Sequence, residues 1–382
     1  MRHLFAFSLV VVIGLSGCAE DDDTGPQRVQ IFGINPTTSK YELFVERLNT
    51  LTSAQKIRGA VATLRGGGSL VIEEAFVKAL TAADEEELLR SELVRGDDPV
   101  QAVYEKVDGV LYPKDWETLL MMSLYHHIEK GMDFYRALGV DTSALHSIKC
   151  YFNVRVTSFF LAWGAPVFTD NAAYTPVADA FLLFPDFFLN EGIPLVLNQG
   201  VVLHEMTHAI KHRLLHGSER IPVYIADNWS RSEINAYRAD DEGLADFFAA
   251  TYLGDPNFIK ASISGLDRQL DKERIFSDEL FEDLDSRESV YNPYKLGSAI
   301  ASWLWAIGLD PDERILVAER VLDTLDELRD NLRIARAPYS TTFFIEQVVQ
   351  HLTPSLQTRA CQLLDTRLQG DFRNIPTCNL SL

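Results

Sequence analysis

The sequence predicts an α+β fold, in which a small mixed sheet and a central helix are followed by a mainly helical C-terminal half. Between residues 148 and 184 the chain has short runs typical of strands, and the apolar run over 180–184 is closed by Pro185. After about residue 193, apolar residues recur three or four positions apart, which is the spacing of one helix face. This spacing predicts helices over residues 193–216, 231–252, 293–307, 311–335 and 341–367.

The N-terminal part of the chain also shows helical spacing, and residues 31–115 are predicted to form a helical N-terminal region. The apolar residues that carry this spacing are Phe44, Leu48, Leu51, Leu89 and Leu93. A glycine triplet at 66–68 predicts a loop, and phosphate binding there is disfavoured because no Lys-Ser or Lys-Thr pair follows it. A further helix is expected over 116–139.

The net charge excludes two classes of partner. The 382 residues include 35 Lys and Arg against 55 Asp and Glu, for a formal charge of -20. A protein this acidic is not attracted to nucleic acid or to an anionic membrane surface. The 47% hydrophobic content is ordinary for a globular protein, and the chain is long enough to bury a sizeable core.

Residues 1–17 are predicted to be an export signal, because a basic start is followed by an apolar run too short to span a membrane. The run ends in Leu15-Ser16-Gly17-Cys18, which resembles the lipobox of bacterial lipoproteins. The resemblance implies that Cys18 is lipidated and anchors the protein in the bacterial cell envelope, and Ala19 favours the outer membrane if the organism is Gram-negative. Residues 18–30 would be a polar tether. The alternative is a plain secretory signal with a stray cysteine.

The other cysteines agree with export. Cys361 and Cys378 lie close together in sequence and could form a disulfide in an oxidising compartment, which would leave Cys150 free. No cysteine pattern indicates a metal site or a nucleophile.

The functional prediction starts from residues 201–210, which contain His204-Glu205-Met206-Thr207-His208. On a helix, His204 and His208 lie one turn apart on the same face, so both imidazoles can bind one zinc ion. Glu205 then lies beside the metal, where it can accept a proton from the attacking water. The alternative is a partly buried helix with structural histidines, so the interpretation requires a third ligand.

The third ligand is expected in Asp240-Asp241-Glu242-Gly243-Leu244-Ala245-Asp246. Glu242 and Asp246 are four residues apart and share a helix face. We expect Glu242 to bind the zinc and Asp246 to accept the free ring N–H of His204. An exposed acidic helix face is the alternative, and the neighbouring apolar residues argue against it because they indicate a buried helix.

The two motifs together resemble those of the gluzincin metallopeptidases, the thermolysin-like and fungalysin-like zinc enzymes. The resemblance covers about residues 120–250. It implies a zincin-like catalytic domain with Zn²⁺ as cofactor. Residues 116–216 would form its N-terminal subdomain with the zinc helix, and residues 217–382 a helical C-terminal subdomain with the third ligand.

The same resemblance implies roles for residues outside the zinc motifs. Asn171-Ala172-Ala173-Tyr174 looks like the edge strand that binds substrate in this family. Tyr294-Lys295-Leu296-Gly297 is similar to a helix start in gluzincin aminopeptidases, whose tyrosine stabilises the oxyanion of the tetrahedral intermediate. An ordinary helix-start tyrosine is the alternative, and Tyr291 is the substitute for the role. Nothing resembles the calcium loops of thermolysin, so no calcium is expected.

Two further histidine pairs are expected not to bind metal. His126 and His127 are adjacent on a predicted helix and point about 100° apart, so we interpret them as core or surface residues. His212 and His216 continue the four-residue spacing but drift around the helix away from the first pair.

The sequence therefore predicts a lipid-anchored zinc metallopeptidase that cleaves a peptide or protein substrate with Glu205 as general base. The absence of a Gly-x-Met-Glu-Asn signature favours an endopeptidase. One alternative is a non-catalytic envelope lipoprotein that retains a metallopeptidase fold for binding or assembly. Another is an active site blocked by residues 28–115.

Overall fold

Strands dominate the first half of the described chain and helices the second, so the α+β prediction is confirmed. The computed structural model describes residues 24–71, 94–142, 147–157, 166–167, 172–176, 178–184, 192–217, 229–287, 291–330, 332, 339–370 and 375–378. The strands are β1 Gln27–Asn35, β2 Lys40–Leu48, β3 Leu51–Ser53, β4 Arg58–Gly59, β5 Ala62–Gly66, β6 Ser69–Val71, β7 Val94–Arg95, β8 Asp98–Pro99, β9 Tyr104–Val107, β10 Val110–Pro113, β11 Ile148–Phe152, β12 Arg155–Thr157, β13 Pro166–Val167, β14 Ala172–Thr175 and β15 Ala180–Leu183. The α-helices are α1 Trp116–Ala137, α2 Gln199–His216, α3 Arg231–Leu253, α4 Asp278–Glu282, α5 Pro293–Ile307, α6 Pro311–Asp330, α7 Thr341–His351 and α8 Pro354–Arg367.

The predicted helical character of residues 31–115 is wrong wherever the structure describes them. β1 and β2 pair antiparallel along their whole length, and Phe44 and Leu48 lie on β2. A separation of four is a multiple of the two-residue strand period, so these two side chains share a face in a strand as well as in a helix. The pairing of this segment with β1 makes it a strand. Leu89 and Leu93 lie outside the described residues.

One sheet joins the N-terminal region to the region of the zinc motifs. Its strand order is β14-β15-β11-β5-β4-β3, with β8 also paired to β5. β5 and β11 are parallel, as are β11 and β15, whereas β14 runs antiparallel to β15. The strands expected between residues 148 and 184 are therefore confirmed. Within the described chain, β14 lies at one end of this sheet.

Two smaller sheets complete the β structure. The first has the order β2-β1-β10-β9 and packs on α1, where Phe32 N–H donates to Ser123 Oγ at 2.9 Å. The second has the order β13-β12-β6-β7. Gly67 and Gly68 connect β5 to β6, so the loop predicted at the glycine triplet is confirmed, although Gly66 belongs to β5.

The helices pack into the same core as the sheets, because one large cluster holds buried apolar side chains from β1 to α8. A second, small cluster consists of Tyr151, Val154, Ala180 and Leu182. Among the described residues, the most extensive helix contact is between α3 and α5. A Cβ on Gly243 would lie 2.6 Å from Gly297 O, and one on Gly297 would lie 2.6 Å from Ala239 O. The two glycines therefore let the helix backbones touch, which brings the start of α5 to the zinc motifs.

The predicted helices are confirmed, with corrections at their ends. α2 begins at Gln199 rather than near residue 193, because Asn198 caps it and a 3₁₀ turn, Leu195–Leu197, follows Pro194. The single helix expected over 341–367 is two helices, because α7 ends at His351 and α8 starts with Pro354. A proline fits the first turn of a helix but not its interior.

The disulfide expected between Cys361 and Cys378 is confirmed, and it ties α8 to the turn Pro376–Cys378. Cys150 is free, also as expected, and it is buried on β11. The predicted tether at 18–30 is too long, because residues 27–30 already belong to β1.

No helix in the described part of the chain combines the length and the apolar character that crossing a bilayer requires. The predicted export signal and Cys18 lie outside the described residues.

Candidate metal centre

The helix α2 presents His204, Glu205 and His208 from a firmly held segment. Its cap, Asn198, accepts a hydrogen bond from Gly200 N–H at 2.9 Å through its side-chain oxygen. Asn198 Nδ2 donates to Phe258 O at 3.0 Å, which fixes the helix start to the segment after α3. Both histidines and the glutamate sit beyond the first turn of α2, where the backbone is fully hydrogen-bonded.

The helix α3 carries three consecutive acidic residues that point to three different partners. Asp240 accepts hydrogen bonds from Tyr339 Oη at 2.6 Å and Thr341 Oγ1 at 3.1 Å, at the start of α7. Asp241 and Glu242 face α2 instead. Because neighbouring residues on a helix point about 100° apart, one helix can support the C-terminal segment and the candidate site together.

Three donor atoms converge where α2 and α3 meet. His204 Nε2 lies 3.1 Å from His208 Nε2 and 3.1 Å from Glu242 Oε2, and His208 Nε2 lies 3.6 Å from Glu242 Oε2. Tetrahedral ligands at about 2.0–2.1 Å from a zinc ion are about 3.3 Å apart, so this triangle has the required size. These residues form the group that can hold a metal ion within the described chain.

The chemistry of the donors also suits zinc. Glu242 Oε2 is buried and makes no well-formed hydrogen bond to any described residue, so its lone pairs remain available for a cation. Two imidazoles and one carboxylate leave a fourth position open, which is the arrangement of catalytic zinc sites. The residues present therefore fit the ion that the sequence predicts.

The predicted contact between Asp246 and His204 is present. Asp246 Oδ1 lies 3.0 Å from His204 Nδ1, on the side of the ring opposite to the donor atom. Arg268 binds the same carboxylate, with Nε 2.9 Å from Oδ2 and Nη2 on Oδ1. The ring of His204 is therefore oriented by a carboxylate that is itself held by a buried guanidinium.

His208 has a corresponding partner that the sequence interpretation missed. Asp241 Oδ2 lies 2.8 Å from His208 Nδ1, and Asp241 Oδ1 lies 3.1 Å from Lys211 Nζ. The sequence did contain a signal, because Asp241 is an acidic residue directly before Glu242. On a helix, Asp241 can face His208 while Glu242 faces His204. Arg268 and Lys211 had no such local signal, because their roles depend on how separate segments pack.

The charges around the cluster favour a cation. Burial opposes ionisation of Glu242, but its close contacts with His204 and His208 hold its pKa well below the usual range. Burial also opposes ionisation of Asp246, but the charge of Arg268 and the contact with His204 lower its pKa overall. Glu242 and Asp246 are therefore anions at neutral pH, as a metal ligand and the partner of a ligand must be.

Glu205 lies beside the donor triangle and contacts β14. Its Oε2 atom accepts a hydrogen bond from Tyr174 N–H at 2.8 Å. Burial raises the pKa of Glu205, which makes the carboxylate a stronger base than an exposed glutamate. The backbone contact fixes this base against the strand for which substrate binding was predicted.

The cleft around the cluster consists of two adjoining cavities of about 370 and 270 Å³, which share Ala172, His204, Glu205 and Tyr294. The larger one has an apolar wall formed by Leu195, Val201, Phe258, Ile259, Ile263 and Leu266. The smaller one is lined mainly by polar groups, among them Tyr174, His212, Tyr237, Arg238 and Asp241. The donor atoms therefore lie between an apolar and a polar half of one cleft.

The two candidate tyrosines are placed differently. Tyr294, in the first turn of α5, lines both cavities, and its ring lies 4.3 Å from the guanidinium of Arg268. Tyr294 is 38% exposed, and partial burial raises the pKa of its hydroxyl, which is therefore protonated at neutral pH and can donate. Tyr291 is buried, lines neither cavity, and its hydroxyl has no hydrogen-bond partner among the described residues.

The remaining predicted residues lie as follows. Ala172 and Tyr174 are on β14 beside the donors, whereas Asn171 lies outside the described residues. His126 and His127 are buried in α1, in agreement with a core role. His216 is buried beside Tyr237 and His212 lines the polar cavity, but neither belongs to the donor triangle.

The described parts of residues 28–115 line neither cavity of the cleft. Instead they supply β5 to the central sheet and bonds to α1, such as Thr50 N–H to Glu129 Oε1 at 2.6 Å. They contribute to the fold, and a chain that started near residue 116 would lose these contacts.

The sequence matches no protein-family model and no curated protein.

Proposed function

We propose that this protein is a zinc-dependent peptidase with a zincin-like catalytic core, similar to the gluzincins. The observation that carries the proposal is the convergence of His204, His208 and Glu242 at the separations of three zinc ligands. A buried glutamate at a strand edge beside the donors adds the base that peptide hydrolysis requires. The zincin-like fold and the gluzincin relationship are part of the proposal, together with lipid anchoring at Cys18.

A zinc ion held by the three donors would act as a Lewis acid on the scissile carbonyl and lower the pKa of the attacking water. Glu205 Oε2 is held by Tyr174 N–H, which leaves Oε1 to accept the proton of that water. The raised pKa of Glu205 suits both uptake of the proton and its later transfer to the leaving amine. Tyr294, protonated and at the cleft, would donate to the oxyanion.

β14 would hold the substrate as an added strand. It forms one end of the central sheet in the described chain, and its residues Ala172 and Tyr174 line the cleft. An extended peptide that pairs with such a strand is positioned by main-chain hydrogen bonds, whatever its side chains are. This arrangement supports a peptide or protein substrate.

Replacing Glu205 with Gln tests the proposal, because it removes the base and keeps the size of the side chain. Zinc should remain bound at one ion per chain, while cleavage of a peptide library falls by about two to four orders of magnitude. Mass spectrometry of the products and metal analysis give both readouts. Glu279→Gln, at an exposed position on α4, is the matched control and should change neither. Unchanged hydrolysis in Glu205→Gln contradicts the proposal.

The same assay tests the alternative of a non-catalytic binding protein. One zinc ion per chain without cleavage of any peptide in the library would favour that alternative. The complete set of donors and the buried base at the cleft favour the enzyme.

The role of Tyr294 is tested by comparing the same substitution at Tyr294 and at Tyr291. Tyr294→Phe should lower kcat by about 10²–10³-fold, because it removes one oxyanion donor. Tyr291→Phe should leave kcat unchanged, since Tyr291 lines neither cavity. Equal effects of the two substitutions on kcat would contradict the assignment.

A further inference from the structure

Each histidine of the candidate metal centre is backed by a carboxylate, and each carboxylate is held by a buried cation. On one side His204 contacts Asp246, which binds Arg268. On the other side His208 contacts Asp241, which lies against Lys211. The group of His208, Asp241 and Lys211 is unusual because lysines are rarely buried, and Lys211 is only 1% exposed.

Burial of a lysine is unfavourable unless its charge is compensated, so the surroundings of Lys211 are informative. Its Nζ atom lies 3.1 Å from Asp241 Oδ1 and 4.1 Å from the centre of the Tyr237 ring. Tyr237 in turn lines the polar half of the cleft. The ammonium group is therefore held between the carboxylate that orients a ligand histidine and a wall of the candidate site.

The sequence positions reinforce this arrangement. Lys211 lies three residues after His208, so both side chains leave α2 on neighbouring faces and reach the same residue of α3. One oxygen of Asp241 faces the histidine and the other faces the lysine. A shift of Asp241 towards either partner weakens the other contact, and the pair therefore restricts where the histidine ring can lie.

We propose that Lys211 is a positioning residue of the metal centre, which compensates the charge of Asp241 so that a carboxylate can orient His208. This inference rests on the proposed zinc site. Glu242 would then supply the nearest uncompensated negative charge among the donors of a zinc ion, because Lys211 and Arg268 compensate the charges of Asp241 and Asp246. Loss of Asp241 alone would remove the counter-charge that contacts Lys211, and the lysine would then repel the ion more strongly.

A double-mutant cycle on zinc affinity tests the inference, because it separates charge compensation from packing. The variants are Asp241→Asn, Lys211→Met and the combination, and the dissociation constant for zinc is measured by competition with a chelator. Asp241→Asn should weaken zinc binding by about 10–100-fold, the usual effect of losing a partner of a ligand histidine. Lys211→Met in the Asp241→Asn background should raise zinc affinity again by about tenfold, because the repelling charge is gone.

Lys211→Met in the otherwise unchanged protein should not strengthen zinc binding by this amount, because the lost contact with Asp241 opposes the gain from removing a positive charge. The same effect of Lys211→Met in both backgrounds would overturn the inference, because a lysine that acts only through its volume or its own charge is independent of residue 241. Lys211→Arg keeps the charge and should retain the affinity of the unchanged protein. Lys114→Met, which removes a surface ion pair with Glu105, is the matched control and should leave zinc affinity unchanged in both backgrounds.

Thermal unfolding of each variant establishes that it is folded, and Lys211→Gln replaces Lys211→Met if the latter does not fold. Coupling between Lys211 and Asp241 in zinc affinity, without peptide cleavage, would support the inference and overturn the proposed peptidase. Peptide cleavage without this coupling would support the peptidase and overturn the inference. A wild-type chain that binds no zinc would overturn both.

Discussion

Two pairs of histidines lie on the neighbouring helices α1 and α2, and the groups around them differ in charge. His204 and His208 on α2 are four residues apart, and each contacts carboxylates. His126 and His127 on α1 are adjacent, and their Nδ1 atoms lie 3.3 Å apart. Their Nε2 atoms are buried without a hydrogen-bond partner among the described residues.

The surroundings change the protonation of the two pairs in opposite directions. Burial lowers the pKa of His126 well below its usual range and that of His127 to about 3. Burial acts in the same direction on His208, but the charges and hydrogen bonds of Asp241 and Glu242 raise its pKa well above the usual value. Burial alone therefore makes a histidine a neutral core residue, whereas carboxylates around a matched pair create a place for a cation.

The largest difference between the pairs is expected in metal binding. His208→Gln removes one of the three donors, so the variant should lose its bound zinc and with it the peptide cleavage that we propose. His126→Gln, the matched change in the other pair, should leave one zinc ion per chain. Metal analysis after dialysis against a weak chelator provides the measurement. Zinc loss in both variants, or in neither, would show that the pairs do not differ as described.

A smaller effect is expected from the carboxylates that distinguish the pairs. Asp246→Asn keeps a hydrogen-bond acceptor for His204 but leaves Arg268 without its counter-charge, and zinc affinity should fall by about 10–100-fold. Isothermal titration with zinc measures the change. Asp283→Asn, at a surface ion pair with Lys295, is the control and should leave the affinity unchanged. Wild-type affinity in Asp246→Asn would show that this carboxylate does not act on the metal centre.

The smallest effect is a pH dependence of stability that arises from the other pair. In the unfolded chain His127 takes up a proton below its ordinary pKa of 6.5, whereas in the folded chain it stays neutral down to about pH 3. The unfolded state therefore binds more protons in this window, and the free energy of unfolding falls as the pH falls. The slope is about 1.4 kcal/mol per pH unit for one histidine.

Urea unfolding of wild type and His127→Gln at pH 7 and pH 5, with chelator present, measures this contribution. The variant should lose less stability than wild type between the two pH values, because Gln does not titrate. The slopes of other groups, including His204 and His208, cancel in the comparison. Equal losses in the two proteins would mean that His127 is protonated in the fold.

The histidine pairs also show how far local sequence predicts a site. His204, His208, Glu242 and Asp246 were found by spacing, because residues four apart on a helix share a face wherever the helix packs. The same geometry predicted that the adjacent pair at 126 and 127 does not share one metal ion, but it left open whether the pair is in the core or at the surface. These predictions needed no knowledge of the tertiary structure.

Residue spacing alone could not predict the strand β2 or the role of Arg268. The separation of four between Phe44 and Leu48 fits a helix and a strand equally, and pairing with β1 decided it. Arg268 reaches Asp246 from 22 positions away in sequence, in a segment without regular spacing. Its role depends on the path of the chain after α3, which no local pattern indicates.

By itself, the sequence determined the helices of the C-terminal half and the residues that can meet on one helix face, because these follow from contacts three or four residues apart. Only the tertiary structure decided that α2 and α3 bring their donors together, that Tyr174 holds Glu205, and that Lys211 lies against Asp241. Such contacts join segments far apart in the chain. They form only when the core closes around them, because a buried charge is stable only beside its partner.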